Sequence, residues 1–280
     1  MSPVTSWPAP AKLNLFLHVT GRRGDGYHDL QTLFQLIDLA DDLQIQVRRD
    51  GLIERRAGAE GVPAEADLVV RAARALQAAS GTQLGANLSV TKRIPMGGGL
   101  GGGSSDAATV LVGLNLLWDC GLNEEELAAI GANLGADVPV FVRGRSAWAE
   151  GRGERLTPVD LPERWFVVVH PGVHVPTASL FQAPELTRNS PPITIGGFFQ
   201  SGGRNDFEPV VRARYPEVAH ALDWLGHFAP ARLTGTGSCI FAACASLNEA
   251  QDIVTRVPAP WRAMAARGMN VSPLLTARVS

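Results

Sequence analysis

Six of the seven residues 97–103 are glycine, and this stretch joins a predicted strand to a predicted helix. Residues 86–91 alternate between apolar and polar side chains, and an apolar stripe at helical spacing follows Ser104, Ser105 and Asp106, which we expect to cap the helix. Glycine costs about 0.5–1 kcal/mol relative to alanine in regular structure, so we interpret the stretch as a loop that brings bare backbone close to another group and not as a packing solution. A helix N terminus carries unpaired N–H groups and partial positive charge, so the arrangement is typical of a phosphate site.

Two common phosphate-binding patterns fit this loop poorly. The P-loop pattern needs a lysine directly after the glycines, and none follows. Gly97, Gly99 and Gly102 match the dinucleotide fingerprint, but a Rossmann unit needs a further parallel strand after the helix. A second helix is predicted instead, because Asn123 with Glu126 three residues later forms a capping-box pattern.

The composition excludes several classes of function. The chain has 280 residues, 45% of them hydrophobic, and its 25 Lys plus Arg against 27 Asp plus Glu leave a net charge of -2, with no basic excess for a nucleic-acid backbone. Cys120, Cys239 and Cys244 have neither disulfide nor metal-ligand spacing. The N terminus does not resemble a secretory signal, and no apolar run reaches the length of a membrane span. We therefore expect a soluble, cytoplasmic protein that does not bind membranes or nucleic acid.

Lysine is scarce in this chain, since only Lys12 and Lys92 occur among the 25 basic residues. A compact ammonium group differs from a guanidinium fork in hydration and in how readily it titrates, which favours a specific role for both lysines. Residues 12–19 alternate as a strand, so Lys12 and Asn14 share the face opposite the apolar one. Lys92 ends the strand before the glycine loop, where it is either functional or merely solvated.

The chain divides at a proline-rich, polar segment near residues 156–162, which predicts domains 1–160 and 161–280. The fold class expected is α+β. Further strands are predicted at 30–39, 43–48, 165–170 and 239–244, and helices at 67–79 with Asp67 as N-cap, at 209–228 and at 249–256.

Residues 95–108 resemble the nucleotide-binding motif of the GHMP kinases. Residues 8–15, 24–28, 134–139 and 233–238 extend the resemblance over nearly the whole chain, to a branch of the family whose acceptor is a cytidine-diphosphate-linked methylerythritol of the non-mevalonate isoprenoid pathway. The resemblance implies an N-terminal domain with the ribosomal-protein S5 domain 2-like fold and a C-terminal ferredoxin-like α/β sandwich. It also implies ATP-dependent phosphorylation of the acceptor's 2-hydroxyl in a site between the domains.

The resemblance also implies roles for individual residues. Asp137 matches the family's catalytic base and Lys12 its electrostatic partner. The residues that match the ATP site are Lys92, Pro95, Met96, Gly97, Gly98, Gly99, Leu100, Gly101, Gly102, Gly103, Ser104 and Ser105. No protein ligand for Mg²⁺ is identified, because no glutamate matches the family's; we expect phosphates and water to hold the ion.

For the acceptor, the resemblance implies that Tyr27 and Phe181 stack the cytosine ring while His28 contacts the edge of the base. The other residues that match this half of the site are Asn14 near the erythritol end, Thr177 near the cytosine or ribose, and Gly235 in a second glycine loop. Asp67 stands where some members carry an asparagine that contacts adenine, and an aspartate cannot donate a hydrogen bond.

Other functions stay open on the sequence. A GHMP kinase could instead act on homoserine, mevalonate or a sugar, since the glycine loop does not choose among acceptors. A nucleic-acid-binding module is disfavoured by the charge balance, and a nicotinamide-dependent oxidoreductase by the missing strand. The chain is expected to work as a monomer or a homodimer.

Overall fold

The structure, a computed structural model, describes residues 2–277. Its first part, which we call the first body, contains β1 (Val4–Arg22), β2 (His28–Arg48), β3 (Ile53–Ala57), a 3₁₀ turn (Ala64–Ala66), α1 (Leu68–Ser80), β4 (Gly85–Thr91), α2 (Gly102–Leu117), α3 (Glu124–Ala132), α4 (Val138–Arg143), β5 (Ala147–Gly151) and β6 (Arg155–Pro158). The second body contains β7 (Trp165–His170), α5 (Thr177–Phe181), α6 (Ile195–Ser201), α7 (Glu208–Arg214), α8 (Pro216–Gly226), β8 (Ala231–Leu233), β9 (Ile240–Cys244), α9 (Leu247–Thr255) and β10 (Arg262–Met269); α10 (Pro273–Ala277) follows.

Strand β2 organises the sheet of the first body. One of its edges pairs with β1, and the other pairs in turn with β5, β10 and β4. The prediction of two strands at 30–39 and 43–48 is wrong, because β2 runs unbroken. The register shifts where Pro10 faces Ala40 and Ala11 faces Ile37, so two extra residues form a bulge that bends the strand without ending it.

Helix α2 lies at the centre of the first body. Its ten residues from Ser105 to Leu114 are all buried, so this central part of the helix has no solvated face. Helix α1 packs against it; the predicted N-cap is confirmed, since the side chain of Asp67 accepts a hydrogen bond from the N–H of Val69. The predicted capping box of α3 is also confirmed. The central part of the helix that carries the glycine loop is therefore enclosed by its neighbours, while Gly103 near its N terminus is exposed.

The second body has the ferredoxin-like arrangement that the resemblance implies. Its antiparallel sheet has the order β10-β7-β9-β8, with α7 and α8 between the first two strands in the chain and α9 between the last two. Alternate residues of β7 face different cores: Val167 and Val169 pack under the helices, while Phe166 and Val168 face the first body. This double burial explains why the strand is apolar throughout.

The helix predicted over 209–228 is interrupted. Tyr215 leaves the helical conformation with φ -131° and ψ 85°, and α8 begins at Pro216. Proline disfavours a helical residue before it and lacks the N–H that a continuous helix needs, so the chain forms two helices.

The two bodies share a core between them. Leu13, Ile94 and Leu100 of the first body pack there with Phe241 and Cys239 of the second. β10 also pairs with β2, and Leu274 of α10 returns to the core of the first body. The domain boundary at 160/161 stays a prediction. None of the helices within residues 2–277 is both long and apolar enough to span a bilayer.

The side chain of Asn205 holds the second glycine loop, which contains Gly235, in place within the second body. The buried side chain donates from Nδ2 to the carbonyls of Leu233 and Gly235, at 2.9 and 2.8 Å, and accepts from the N–H of Phe207 at 2.9 Å. Asn205→Asp keeps the acceptor but places a carboxylate against two carbonyl groups. We expect urea denaturation to show a loss of about 2–4 kcal/mol in unfolding free energy.

The matched control is Asn123→Asp at the N-cap of α3, where aspartate caps as well as asparagine and the change should stay within about 0.5 kcal/mol. Equal, small effects of the two substitutions would contradict the role assigned to Asn205.

Candidate active site

Lys12 and Asn14 lie side by side on β1, as their spacing predicts, and both are buried while lining a large cavity. Lys12 Nζ donates to Asn14 Oδ1 at 2.5 Å, and Asn14 Nδ2 donates to Thr32 Oγ1 at 2.9 Å. The backbone N–H of Asn14 donates to Thr234 Oγ1 of the second body at 2.9 Å. The lysine is therefore held at a fixed point by residues from both bodies.

Asp137 faces this lysine from the start of α4. Its carboxylate makes no capping hydrogen bond; instead Oδ2 lies 3.3 Å from Lys12 Nζ. The lysine side chain is 3% exposed and the aspartate side chain 34%, so the carboxylate lies at the open end of the pair. A carboxylate beside a fixed ammonium and open to the cavity can accept a proton from a bound hydroxyl group.

The glycine loop ends at the N terminus of α2. Gly101 is the N-cap and has no side chain to cap the helix, so the expectation that Ser104, Ser105 and Asp106 cap it is wrong. These residues lie inside the first turns. Because no side-chain cap is found at this end of α2 among residues 2–277, its first N–H groups are available to an anion.

Several of the glycines are explained by contacts within the protein. A Cβ on Gly98 would lie 2.4 Å from Cys239 Sγ, and one on Gly99, whose φ is +77°, would lie 2.2 Å from the carbonyl oxygen of Thr234. The interpretation that packing does not account for the glycines is therefore wrong at these positions. At Gly103 a Cβ would meet only Leu68 Cδ1, at 3.6 Å, so space remains there for a ligand.

Lys92 lies beneath the loop between two buried carboxylates. Its Nζ contacts Asp41 Oδ2 and, at 2.7 Å, Asp106 Oδ2. Asp41 also accepts hydrogen bonds from the backbone N–H groups of Arg93 and Ile94, which fixes the chain that leads into the loop. Lys92 is thus a partner of a buried charge cluster and also lines the cavity.

This cluster shifts the titration of its members. Burial raises the pKa of Asp106 to about 7, an effect that Lys92 opposes and Asp41 reinforces. Burial lowers the pKa of Lys92, but the charges of Asp106 and Asp41 outweigh it and raise that pKa above the usual lysine value. The lysine therefore stays charged at neutral pH, while Asp106 exchanges a proton in that range.

Aromatic side chains line the other end of the cavity. Tyr27 is 52% exposed, and the guanidinium carbon of Arg152 lies 3.8 Å from its ring centroid. His28 is buried, and its ring lies 5.1 Å from that of Phe181 between centroids, tilted by 30°. Arg188 donates from Nε to His28 Nε2 at 3.2 Å. Flat surfaces and fixed polar atoms suit a planar heterocycle.

One cavity of about 1070 Å³ joins these groups. The sequence-predicted residues that line it are Lys12, Asn14, Tyr27, His28, Lys92, Pro95, Met96, Gly97, Gly98, Gly99, Leu100, Gly101, Gly102, Gly103, Ser104, Asp137, Thr177, Phe181 and Gly235. Ser105 is the exception, since it is fully buried and its hydroxyl has no partner among the described residues. Thr177 Oγ1 lies 2.8 Å from Thr236 Oγ1, and both residues line the cavity.

Sequence reasoning missed four charged residues of this region. Asp41 falls in the gap between the strands predicted at 30–39 and 43–48, and Asp106 is predicted as a cap of α2. Arg152 and Arg188 carry no local signal, because their roles depend on contacts with distant residues. The one hint in the sequence is that Asp41 and Asp42 interrupt an otherwise apolar strand pattern.

Within residues 2–277, no group of three or more His, Cys, Asp and Glu side chains is placed to hold a metal ion. Asp106, a carboxylate beside the loop, is paired with Lys92. The residues present therefore fit Mg²⁺ only as an ion that takes most of its ligands from phosphates and water.

Comparisons with known proteins agree with this geometry. The family described as GHMP kinases N terminal domain matches residues 67–145, and GHMP kinases C terminal matches residues 188–263. A 4-diphosphocytidyl-2-C-methyl-D-erythritol kinase of Alkalilimnicola ehrlichii is 57% identical over 275 residues, covering 98% of this chain and 94% of that protein. The kinase of the same name from Halorhodospira halophila is 56% identical over 277 residues, covering 98% and 96%.

Solved structures give the same result. A crystal structure of 4-(cytidine 5'-diphospho)-2C-methyl-D-erythritol kinase superposes with a TM-score of 0.83 at 35% identity, covering 94% of this chain and 99% of that one. Mevalonate kinase of Methanococcus jannaschii has a TM-score of 0.69 at 15% identity, covering 96% and 99%, which shows a shared fold. The fold that the sequence resemblance implies is confirmed.

Two glycine substitutions should have opposite effects on stability. Gly99→Ala forces a side chain against the carbonyl of Thr234 in a left-handed conformation, and we expect a loss of at least about 2 kcal/mol in unfolding free energy. Gly103→Ala meets open space inside a helix and should gain about 0.5–1 kcal/mol. Thermal unfolding followed by circular dichroism measures both; a destabilised Gly103→Ala would contradict the free space at that position.

The titration of Asp106 should make stability depend on pH. Because its pKa is raised in the folded state, the folded protein binds this proton more tightly, and its contribution to stability is lost as pH rises through about 7. Asp106→Asn should remove a decline on the order of 1–3 kcal/mol between pH 5 and pH 8, measured by urea unfolding. The exposed Asp160→Asn is the control and should keep the wild-type decline; an unchanged profile in Asp106→Asn would refute the assignment.

Proposed function

Because this chain belongs to the family of GHMP kinases named 4-diphosphocytidyl-2-C-methyl-D-erythritol kinases, we propose that its cavity binds ATP and that acceptor together. The enzyme transfers the γ-phosphoryl group of ATP to the acceptor's 2-hydroxyl, giving the 2-phosphate and ADP in the non-mevalonate pathway of isoprenoid biosynthesis. The observation that carries the proposal is the Lys12–Asp137 pair, which lies in one cavity with an uncapped helix N terminus and an aromatic pocket.

Asp137 is the proposed general base. Its carboxylate is open to the cavity, so it can accept the proton of the hydroxyl group as the oxygen attacks phosphorus. Lys12 is the proposed electrostatic partner. Its ammonium group is buried, held by Asn14 and Asp137, and it stabilises negative charge on the base and on the transferring group without reorienting.

The glycine loop is the proposed phosphate site. The N–H groups at the start of α2 and the bare backbone near Gly103 favour the negative charge of the ATP phosphates. Ser104 lines the cavity and supplies a hydroxyl, whereas Ser105 is fully buried and does not line it. Mg²⁺ neutralises phosphate charge when it is bound, and we propose that phosphates and water hold most of its coordination sites.

The other end of the cavity is the proposed acceptor site. Tyr27, Phe181 and His28 surround the space for the cytosine ring, and Asn14 lies beside the catalytic pair, where the erythritol must reach. Thr177 and Gly235 border the intervening space from the second body. Holding donor and acceptor in line supplies about 7–11 kcal/mol of the barrier in favourable cases.

The compartment and the oligomeric state are proposals as well. All three cysteines are free thiols, which fits the reducing cytoplasm where we propose that the enzyme works. We propose that it acts there as a monomer or a homodimer, because the cavity is completed by the two bodies of a single chain.

Turnover tests both the acceptor and the base. We expect ATP-dependent ADP release with 4-diphosphocytidyl-2-C-methyl-D-erythritol and none with mevalonate, homoserine or galactose. Asp137→Asn should lower kcat by about 10²–10⁴-fold because the base is lost, while leaving the fold intact. Lys12→Met should also lower kcat, because its charge acts mainly in the transition state.

The exposed Asp160→Asn serves as control and should keep wild-type kcat. Turnover confined to another acceptor would rule out the proposed acceptor. A wild-type kcat in Asp137→Asn would rule out Asp137 as the general base. Absence of ADP release with all four acceptors would reject the proposed kinase activity.

A further inference from the structure

The guanidinium group of Arg188 donates hydrogen bonds to backbone carbonyls in the wall of the aromatic pocket. Nη1 donates to the carbonyl of Leu186 at 3.0 Å, and Nη2 donates to the carbonyls of Phe181 and Ala183 at 2.9 and 2.6 Å. The remaining nitrogen, Nε, donates to His28 Nε2 at 3.2 Å. Because the guanidinium is planar and rigid, the three carbonyl contacts fix the direction in which Nε points.

This contact determines the tautomer of His28. An arginine Nε always carries its hydrogen, so the histidine nitrogen that receives it must be unprotonated. Burial, Arg188 and Arg22 lower the pKa of His28, in that order, which favours the neutral form of the ring. A neutral ring with an unprotonated Nε2 carries its hydrogen on Nδ1.

The Nδ1–H group is free to contact a ligand. Among the described residues it has no hydrogen-bond partner, although His28 is buried and lines the cavity. The ring also lies against Phe181, whose carbonyl binds the same arginine, so the donor is held beside a flat apolar surface. The pocket thus offers a donor of fixed orientation to the edge of a planar ring.

We propose that Arg188 is a positioning residue: it keeps His28 in the tautomer whose Nδ1–H donates to the unprotonated N3 of the cytosine that the proposed function places against this histidine. Cytosine presents an unprotonated N3, whereas uracil presents N3–H, and two donors facing each other leave both unsatisfied. Without Arg188 the ring could exchange its hydrogen between the two nitrogens and accept from uracil. This inference rests on the proposed function, since it assumes a nucleotide-linked acceptor in this pocket.

The tautomer is measured directly by NMR on protein with ¹⁵N-labelled histidine, from the couplings between ring carbon-bound hydrogens and the two nitrogens. We expect protonated Nδ1 and unprotonated Nε2 at His28 in the wild type at pH 7. Arg188→Met keeps the length of the aliphatic stem and removes the donors, so the signal should move toward the Nε2–H form that free histidine favours. Arg188→Lys restores a cationic donor and should restore part of the Nδ1–H signal.

Arg214→Met is the matched control. Arg214 binds Glu185 of the same segment but does not contact His28, so its removal tests for a general loosening of the pocket wall. We expect the wild-type tautomer in this variant. A wild-type His28 with hydrogen on Nε2, or an Arg188→Met spectrum identical to that of the wild type, would overturn the inference without any activity measurement.

Kinetics test the consequence for specificity. With cytidine- and uridine-diphosphate-linked methylerythritol, we expect the wild type to prefer the cytidyl acceptor in kcat/KM by about tenfold or more. Arg188→Met should reduce this preference, mainly by raising KM for the cytidyl acceptor, with kcat less affected. An Arg188→Met enzyme with the wild-type preference would overturn the inference.

Different results would reject the inference on Arg188 and His28 and the proposed kinase function. A wild-type enzyme that phosphorylates both acceptors equally would overturn the selection by His28 and leave the kinase proposal standing. Absence of turnover with either acceptor would reject the proposed function, and with it the selection of cytosine by His28. The NMR result would still decide whether Arg188 sets the tautomer of His28.

Discussion

The contact between two glycine loops, one from each body, builds the cavity. Backbone N–H groups of Ser238 and Cys239 donate to the carbonyls of Gly97 and Gly98, at 3.3 and 3.1 Å. Leu100 is buried in the core between the bodies. A Cβ on Gly98 would collide with Cys239 Sγ and one on Gly99 with the carbonyl oxygen of Thr234, so these glycines serve packing, and the N terminus of α2 faces the cavity beside them.

The two lysines of the chain differ in how the charges of their ammonium groups are compensated. Lys12 is buried with one partly exposed carboxylate, so its charge is directed toward the open end of the cavity. Lys92 is enclosed by Asp41 and Asp106, and most of its charge is compensated inside the protein. Buried charges are costly unless they are paired, and each arrangement satisfies that requirement. The first leaves a charge available to chemistry, and the second stiffens the chain on which the glycine loop depends.

The aromatic pocket is also shared between the bodies. His28 comes from the start of β2, whereas Phe181 and Arg188 come from the segment around α5. The hydrogen bond of Arg188 crosses from one body to the other, so the shape of this pocket and the tautomer of its histidine depend on how the bodies meet. A change in that packing would affect both ends of the cavity, because Thr234 of the second body also holds the backbone of Asn14, next to Lys12, across the same junction.

The sequence by itself determined the elements that local patterns control. The strand that carries Lys12, the caps at Asp67 and Asn123, and a helix that begins on the glycine loop follow from alternation, spacing and capping within a few residues. Tertiary structure alone decided that β2 continues past its bulge, that Asp41 and Asp106 enclose Lys92, and that Arg188 reaches His28. Those outcomes join residues that are far apart in the chain, and local periodicity carries no information about which distant partner satisfies a buried charge or a hydrogen-bond donor.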